Sequence, residues 1–223
     1  MDFDINGRYP YKGIYLTSQI VIMVPGMNDK EGQIAVQMAR QTIDAETKEE
    51  DMGVLNAPGS FNEKRGVFVT LSTYPEHNLR GCIGYPEPIF SLAKAILLAA
   101  EGACHDPRFP SLKAKELDDI VVEVSVLTPP EEIKIADRKN LPEAVKVGVD
   151  GLIMENGPYR GLLLPQVPVE WEWNSVTFLE QTCIKAGLLP DMWLDRSTKV
   201  YKFQGEVFAE SNPHGPVRRK ELV

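Results

Sequence analysis

The apolar positions of this chain recur with two different periods, and the changes between them mark its elements. Asn28 is suited to cap a helix, and Glu31 three residues on completes a capping-box spacing. Val36, Ala39 and Ile43 then recur at helical intervals and define one buried face. The acidic run 46–51 ends that helix, and Ala57-Pro58-Gly59-Ser60 reads as a loop. From Gly66 the period drops to two: Val67, Val69 and Leu71 alternate with Phe68 and Thr70, a strand that a loop through Pro75 and His77 returns as a second strand, Arg80 to Gly84. Pro86 and Pro88 close that strand and open a helix, because proline suits a first helical turn. Ile89, Leu92, Ala93, Ile96, Ala100 and Ala103 are expected down its buried side. Ile120 to Leu127 is a further strand, ended by Pro129-Pro130.

The same order then recurs. Gly151 to Glu155 is a strand, Asn156-Gly157 a hairpin signal, and Tyr159 to Leu164 the returning strand. Pro165 and Pro168 precede a helix capped by Asn174, apolar at Phe178, Leu179, Thr182, Cys183 and Ala186 and stopped by Gly187. Lys199 to Phe208 reads as one final long strand. Arg80-Gly81 and Arg160-Gly161 are offset by 80 residues, as are Pro88 and Pro168. The expectation is an α+β fold: a mostly antiparallel sheet with helices packed on it, built from two strand-strand-helix-strand halves related by internal duplication. A groove between such halves is a common place for a site.

Composition narrows the function classes. The 223 residues are 43% hydrophobic, enough for a sizeable core, and carry 32 acidic against 24 basic side chains, net −8. That balance disfavours a broad grip on nucleic acid, and the one basic cluster, Arg218-Arg219-Lys220, is small. Three cysteines with no paired spacing speak against a disulfide framework and for a reducing, cytoplasmic setting. No apolar run approaches the roughly 20 residues a membrane helix needs, and no secretion signal is evident.

The chemistry centres on Leu79-Arg80-Gly81-Cys82-Ile83-Gly84. A cysteine between two glycines beside an arginine suits a ligand site, since glycine lets another backbone or a ligand approach and a nearby cation favours thiolate. The alternative is a cysteine packed as a small hydrophobe. Cys104, His105, Asp106 and Arg108 follow the next helix. If the helix end reaches Cys82, His105 takes its proton, Asp106 orients the imidazole and an arginine holds an anionic group. Against that, His105 gains simply from the helix C-terminus, and Asp106 and Arg108 make ordinary turn contacts. Cys82, Cys104 and His105 lack the spacing of a metal site, and neither a metal nor another cofactor is expected. Glu123 interrupts an apolar strand, where the default is a solvent-facing carboxylate. Trp171, Trp173 and Trp193 are core candidates unless one is exposed beside a groove.

The run from Leu79 to Gly84, continued by Tyr85-Pro86-Glu87-Pro88, resembles the signature of the AMMECR family, named after the Alport syndrome, midface hypoplasia, mental retardation and elliptocytosis region. Asp106-Pro107-Arg108-Phe109-Pro110, the strand Val122 to Leu127 with Thr128-Pro129-Pro130, the run from Gly161 to Pro168 and the run from Thr198 to Phe203 agree with it. The resemblance sets residues 1–26 apart as an extension and makes 27–223 one family-type domain with subdomains of about 27–130 and 131–223. It implies no settled reaction. It does imply a pathway shared with radical SAM and Memo-type proteins. Two functions follow as expectations: a small-molecule groove at Arg80, Gly81, Cys82 and Gly84, with Arg108 and Arg160 as further contacts and Cys82, His105 and Asp106 as catalytic groups, or a non-enzymatic interaction module.

Overall fold

A computed structural model describes residues 26–51 and 57–220, and the β-like run Ile20 to Val24 lies outside them. Helix α1 (Asp29–Lys48) begins at the expected capping box: Asn28 Oδ1 accepts from the Glu31 N–H at 3.0 Å, and the Glu31 carboxylate accepts from the Asn28 N–H at 3.0 Å. Two of the four N–H groups that a helix start leaves unpaired are thereby satisfied. Strands β1 (Val67–Thr73) and β2 (Leu79–Tyr85) form an antiparallel hairpin, followed by α2 (Leu92–Cys104) and β3 (Ile120–Leu127). The helix starts later than the prolines indicate. Ile89 N–H turns back to Glu87 O at 2.8 Å and the Leu92 N–H is tied to Glu63 O at 2.8 Å, so Ile89 stays outside α2, exposed.

Beyond β4 (Glu131–Glu132), the chain forms β5 (Gly151–Asn156), β6 (Tyr159–Leu163), a short α3 (Gln166–Glu170) that the sequence reading missed, α4 (Ser175–Lys185), β7 (Lys199–Phe203), β8 (Gly205–Glu210) and β9 (Val217–Lys220). The fold is α+β, with helices on two antiparallel sheets of order β2-β1-β3-β8-β9 and β4-β7-β5-β6. Each half thus holds its second strand at one side, its first in the middle and its third beyond, with a helix between the second and third in sequence.

Two expectations need correction here. The run Lys199–Phe208 is not one strand. It changes sheets at Gln204, where Thr128 N–H donates to Gln204 O and Gln204 N–H donates to Thr128 Oγ1, each at 2.8 Å. As a result β7 pairs with β5 while β8 pairs with β3. Residues 205–220 therefore belong to the first sheet, and a division at residue 131 does not hold for them.

Alternate residues of each strand face a different core. Val67, Val69 and Leu71, with Val122, Val124 and Val126, meet α1 and α2, while Leu152, Met154 and Val200 meet Phe178, Leu179 and Cys183 of α4. The opposite faces meet in a smaller seam, where Leu127, Ile153 and Phe203 are packed by Phe68, Leu162 and Tyr201. The layers run helix, sheet, sheet, helix, and the two sheets touch at that seam.

Candidate functional site

Strand β2 is an edge of the first sheet. Gly81 points at the end of α2, where a Cβ would sit 2.4 Å from Ala103 O. Its absent side chain lets the strand pass the helix end, so Gly81 is filled by packing rather than open to a ligand. Gly84 is likewise closed: a Cβ would meet the Phe68 ring at 2.2 Å. Cys82 alternates to the other face, opposite Thr70 in register, and Thr70 Oγ1 donates to its sulfur at 3.2 Å. Thr70 and Cys82 are half-buried, two residues along their strands from the Phe68–Gly84 pair at the seam and on the same face.

The loop after α2 does reach this strand, and it grips the backbone. Asp106 Oδ2 accepts from the Cys82 N–H at 2.8 Å, and Arg108 Nη2 donates to the Cys82 carbonyl at 3.3 Å. Arg108 Nε and Nη2 also donate to Asp106 at 3.0 and 2.6 Å, and the Arg108 N–H donates to Asp106 at 3.0 Å. Together they occupy the place where another strand would pair with Cys82. The Arg108 guanidinium holds the buried Asp106 carboxyl well below the usual carboxylate range, against the opposing effect of desolvation, and the two backbone N–H bonds add to it.

The proton relay expected from His105 is not formed. Its Nε2 lies 2.8 Å from Glu46 of α1 and its Nδ1 3.2 Å from Ser111 Oγ, while Asp106 is taken by Arg108 and the Cys82 backbone. As the residue that ends α2, His105 turns toward the helical layer, away from the strand face that carries Cys82. Cys104 sits inside the helical core with its sulfur donating to Ala100 O at 3.4 Å, so it does not converge with Cys82 either.

The arginines are committed to carboxylates. A register shift between Leu71 and Ser72 leaves Arg80 as an extra residue in β2, a bulge that re-aims its side chain to Glu116, with Nε and Nη2 at 2.9 and 3.2 Å. Arg160 faces Glu155 across β5–β6 and pairs with it, and it reaches Glu87 just beyond β2 with two bonds of 3.0 Å. It joins the two halves beside the seam. Because the pair is partly exposed, Arg160→Ala is expected to cost no more than about 1 kcal/mol in a urea melt, and the cost should shrink further in high salt.

The Asp106-Pro107-Arg108 grip on the cysteine strand and the paired half-folds meet known proteins at this point. The AMMECR1 family model matches residues 36–208. The chain belongs to the AMMECR1 family. It is 52% identical to protein PH0010 of Pyrococcus horikoshii over 207 residues, 90% of this chain and 100% of that one. It is 51% identical to protein MJ0810 of Methanocaldococcus jannaschii over 195 residues, 87% of this chain and 97% of that one. The crystal structure of uncharacterized protein PH0010 superposes with a TM-score of 0.73 at 51% identity, covering 88% of this chain and 99% of the other. Among the described residues no helix is long and apolar enough to cross a membrane.

The AMMECR1 signature thus decomposes into packing glycines, a bulge arginine and one cysteine on the seam face. Sequence reasoning missed Thr70, which only hairpin register places across from Cys82. It also missed a groove of about 570 Å³ between α1 and the β8–β9 turn, lined by Gln33, Gln37, Gln41 and His214 over the buried Arg40–Glu210 ion pair. No local motif could have announced it, since Arg40 and Glu210 are 170 residues apart.

Proposed function

We propose that the strand surface beside the seam, at Thr70 and Cys82, binds a small molecule bearing a carbonyl or anionic group, with the Cys82 thiol as the reacting atom. The observation that carries this reading is the double grip on Cys82: its backbone is fixed by Asp106 and Arg108, its sulfur takes a hydrogen bond from Thr70, and it stays half-exposed. A side chain held this way is preorganised. Arg108 keeps an exposed guanidinium beside it, with Nη1 making no contact to Asp106, which suits a carboxylate or phosphate. In an acyl transfer the thiol proton leaves to solvent, sulfur bonds to the carbonyl carbon and the leaving group departs, giving a thioester. His105 has no part in this reading. Association with radical SAM and Memo-type proteins is supported by the family resemblance alone.

The other two thiols supply the comparison that tests it. Burial pushes Cys104 up to about 12 and Cys183 up to about 11, so both stay as unreactive thiols in the native protein. At pH 8 iodoacetamide is expected to add once, at Cys82, before either other site is touched, as read by peptide mass spectrometry. Cys82→Ser should remove that adduct, and Thr70→Val should change its rate. A Cys82 as inert as Cys104 would remove the nucleophile.

A further inference from the structure

The second half carries an apolar surface away from Thr70 and Cys82. Trp171 is 67% exposed, and Val169, Val149 and Val147 are 47%, 40% and 37% exposed. The three valines adjoin: Gly148, between the two loop valines, lies so near Val169 that a Cβ there would meet its methyl at 3.2 Å. Trp171 follows Val169 by two residues at the end of α3. Its ring stacks on Trp173, centroids 6.2 Å apart and planes at 21°, and Trp173 packs in turn on the second core. Glu172 between them has φ +52, a left-handed conformation that a residue of this type seldom adopts, and the Trp173 N–H returns to Pro168 O at 2.8 Å. The backbone therefore holds Trp171 outward on a rigid support, at a strain of the kind that clusters at binding sites.

Charge identifies the occupant. Glu170 and Glu172, both exposed, flank Trp171 in sequence, and neither carboxylate has a hydrogen-bond or ion-pair partner among the described residues. An exposed indole whose two sequence neighbours carry unpaired carboxylates attracts a guanidinium or ammonium, through the ring quadrupole and through the local negative charge. We infer that the Val147–Val149–Val169–Trp171 surface docks a basic, leucine-rich segment of a partner protein, its aliphatic side chains on the valines and a cation over Trp171. A second copy of this chain fits less well, because it would bring Glu170 and Glu172 against their own kind unless an unrelated basic face met them.

The test uses the full chain and an acetylated octapeptide of leucine and arginine, labelled with fluorescein and followed by anisotropy. Saturable binding is expected, weakened about tenfold by Trp171→Ala and several-fold by Glu170→Gln with Glu172→Gln, and weakened by salt. Cys82→Ser, outside the surface, should bind as the parent does. Far-ultraviolet circular dichroism of each variant separates lost binding from lost fold; if Trp171→Ala unfolds, Val169→Ser replaces it. Equal binding of a leucine–glutamate octapeptide, binding indifferent to Trp171 and the carboxylates, or no saturation up to about 1 mM would each overturn the inference. So would a concentration-dependent dimer that Trp171→Ala abolishes, since that result makes the occupant a second copy.

Discussion

Asp106→Ala is expected to destabilise the protein by about 2 kcal/mol in a urea melt and to speed hydrogen exchange at the Cys82 amide by about 30-fold. The carboxylate is buried and accepts from that amide at the edge of the sheet, while Arg108 loses three hydrogen bonds with it and keeps the one to the Cys82 carbonyl. The cost stays below that of breaking a fully buried pair because the Arg108 side chain is exposed and rehydrates. Asp106→Asn should fall between, since an amide oxygen still accepts from the backbone N–H but offers Arg108 no charge. The same contacts set a pH dependence. The folded carboxyl titrates below its unfolded value of about 3.9, so its contribution is complete above that value and is lost as pH falls toward the depressed folded one. The stability gap between parent and Asp106→Ala should therefore be constant from about pH 7 to 5 and close progressively in stronger acid.

Which parts of this arrangement the sequence could announce depended on how far apart the deciding atoms lie. The capping box of α1 and the Asn174 cap of α4 are set by residues three apart, and both are present. The hairpin signalled by Asn156-Gly157 forms with its two-residue turn one position later, at Gly157-Pro158, and needs only φ +57 at Gly157. The sheet change at Gln204 was invisible, because apolar alternation continues through it and the residue that fixes it, Thr128, is 76 positions away. At the site, nearness of the post-helix loop to Cys82 was legible and the roles within it were not. His105, Asp106 and Arg108 are consecutive or nearly so, yet helix termination turns the first toward Glu46 and the other two onto β2. At the glycines the choice between backbone and ligand was illegible for a related reason: composition shows where a side chain is missing, not what fills the space.

That space yields the largest effect expected of any single change. Gly81→Val should cost about 3 kcal/mol, and Gly161→Val about as much. At Gly81 the new Cβ would stand 2.4 Å from the Ala103 carbonyl oxygen, and at Gly161 2.3 Å from the Ala186 nitrogen with Lys185 and Ala186 backbone carbons also within 2.6 Å. Both obstacles are main-chain atoms at a helix end, so neither can swing aside, and relief requires the edge strand to leave its helix. Gly102→Ala is the contrast. Its Cβ would meet the Ile83 side chain at 2.9 Å, which a rotamer change relieves, at a cost of about 1 kcal/mol. Guanidinium or urea melts of the three variants would rank them, with fixed-backbone sites well above the yielding one. Were Gly81→Val to cost no more than Gly102→Ala while abolishing ligand contact at Cys82, the glycine would be serving ligand approach after all. The equal tightness at Gly161, in a half with no cysteine on its edge strand, argues for packing.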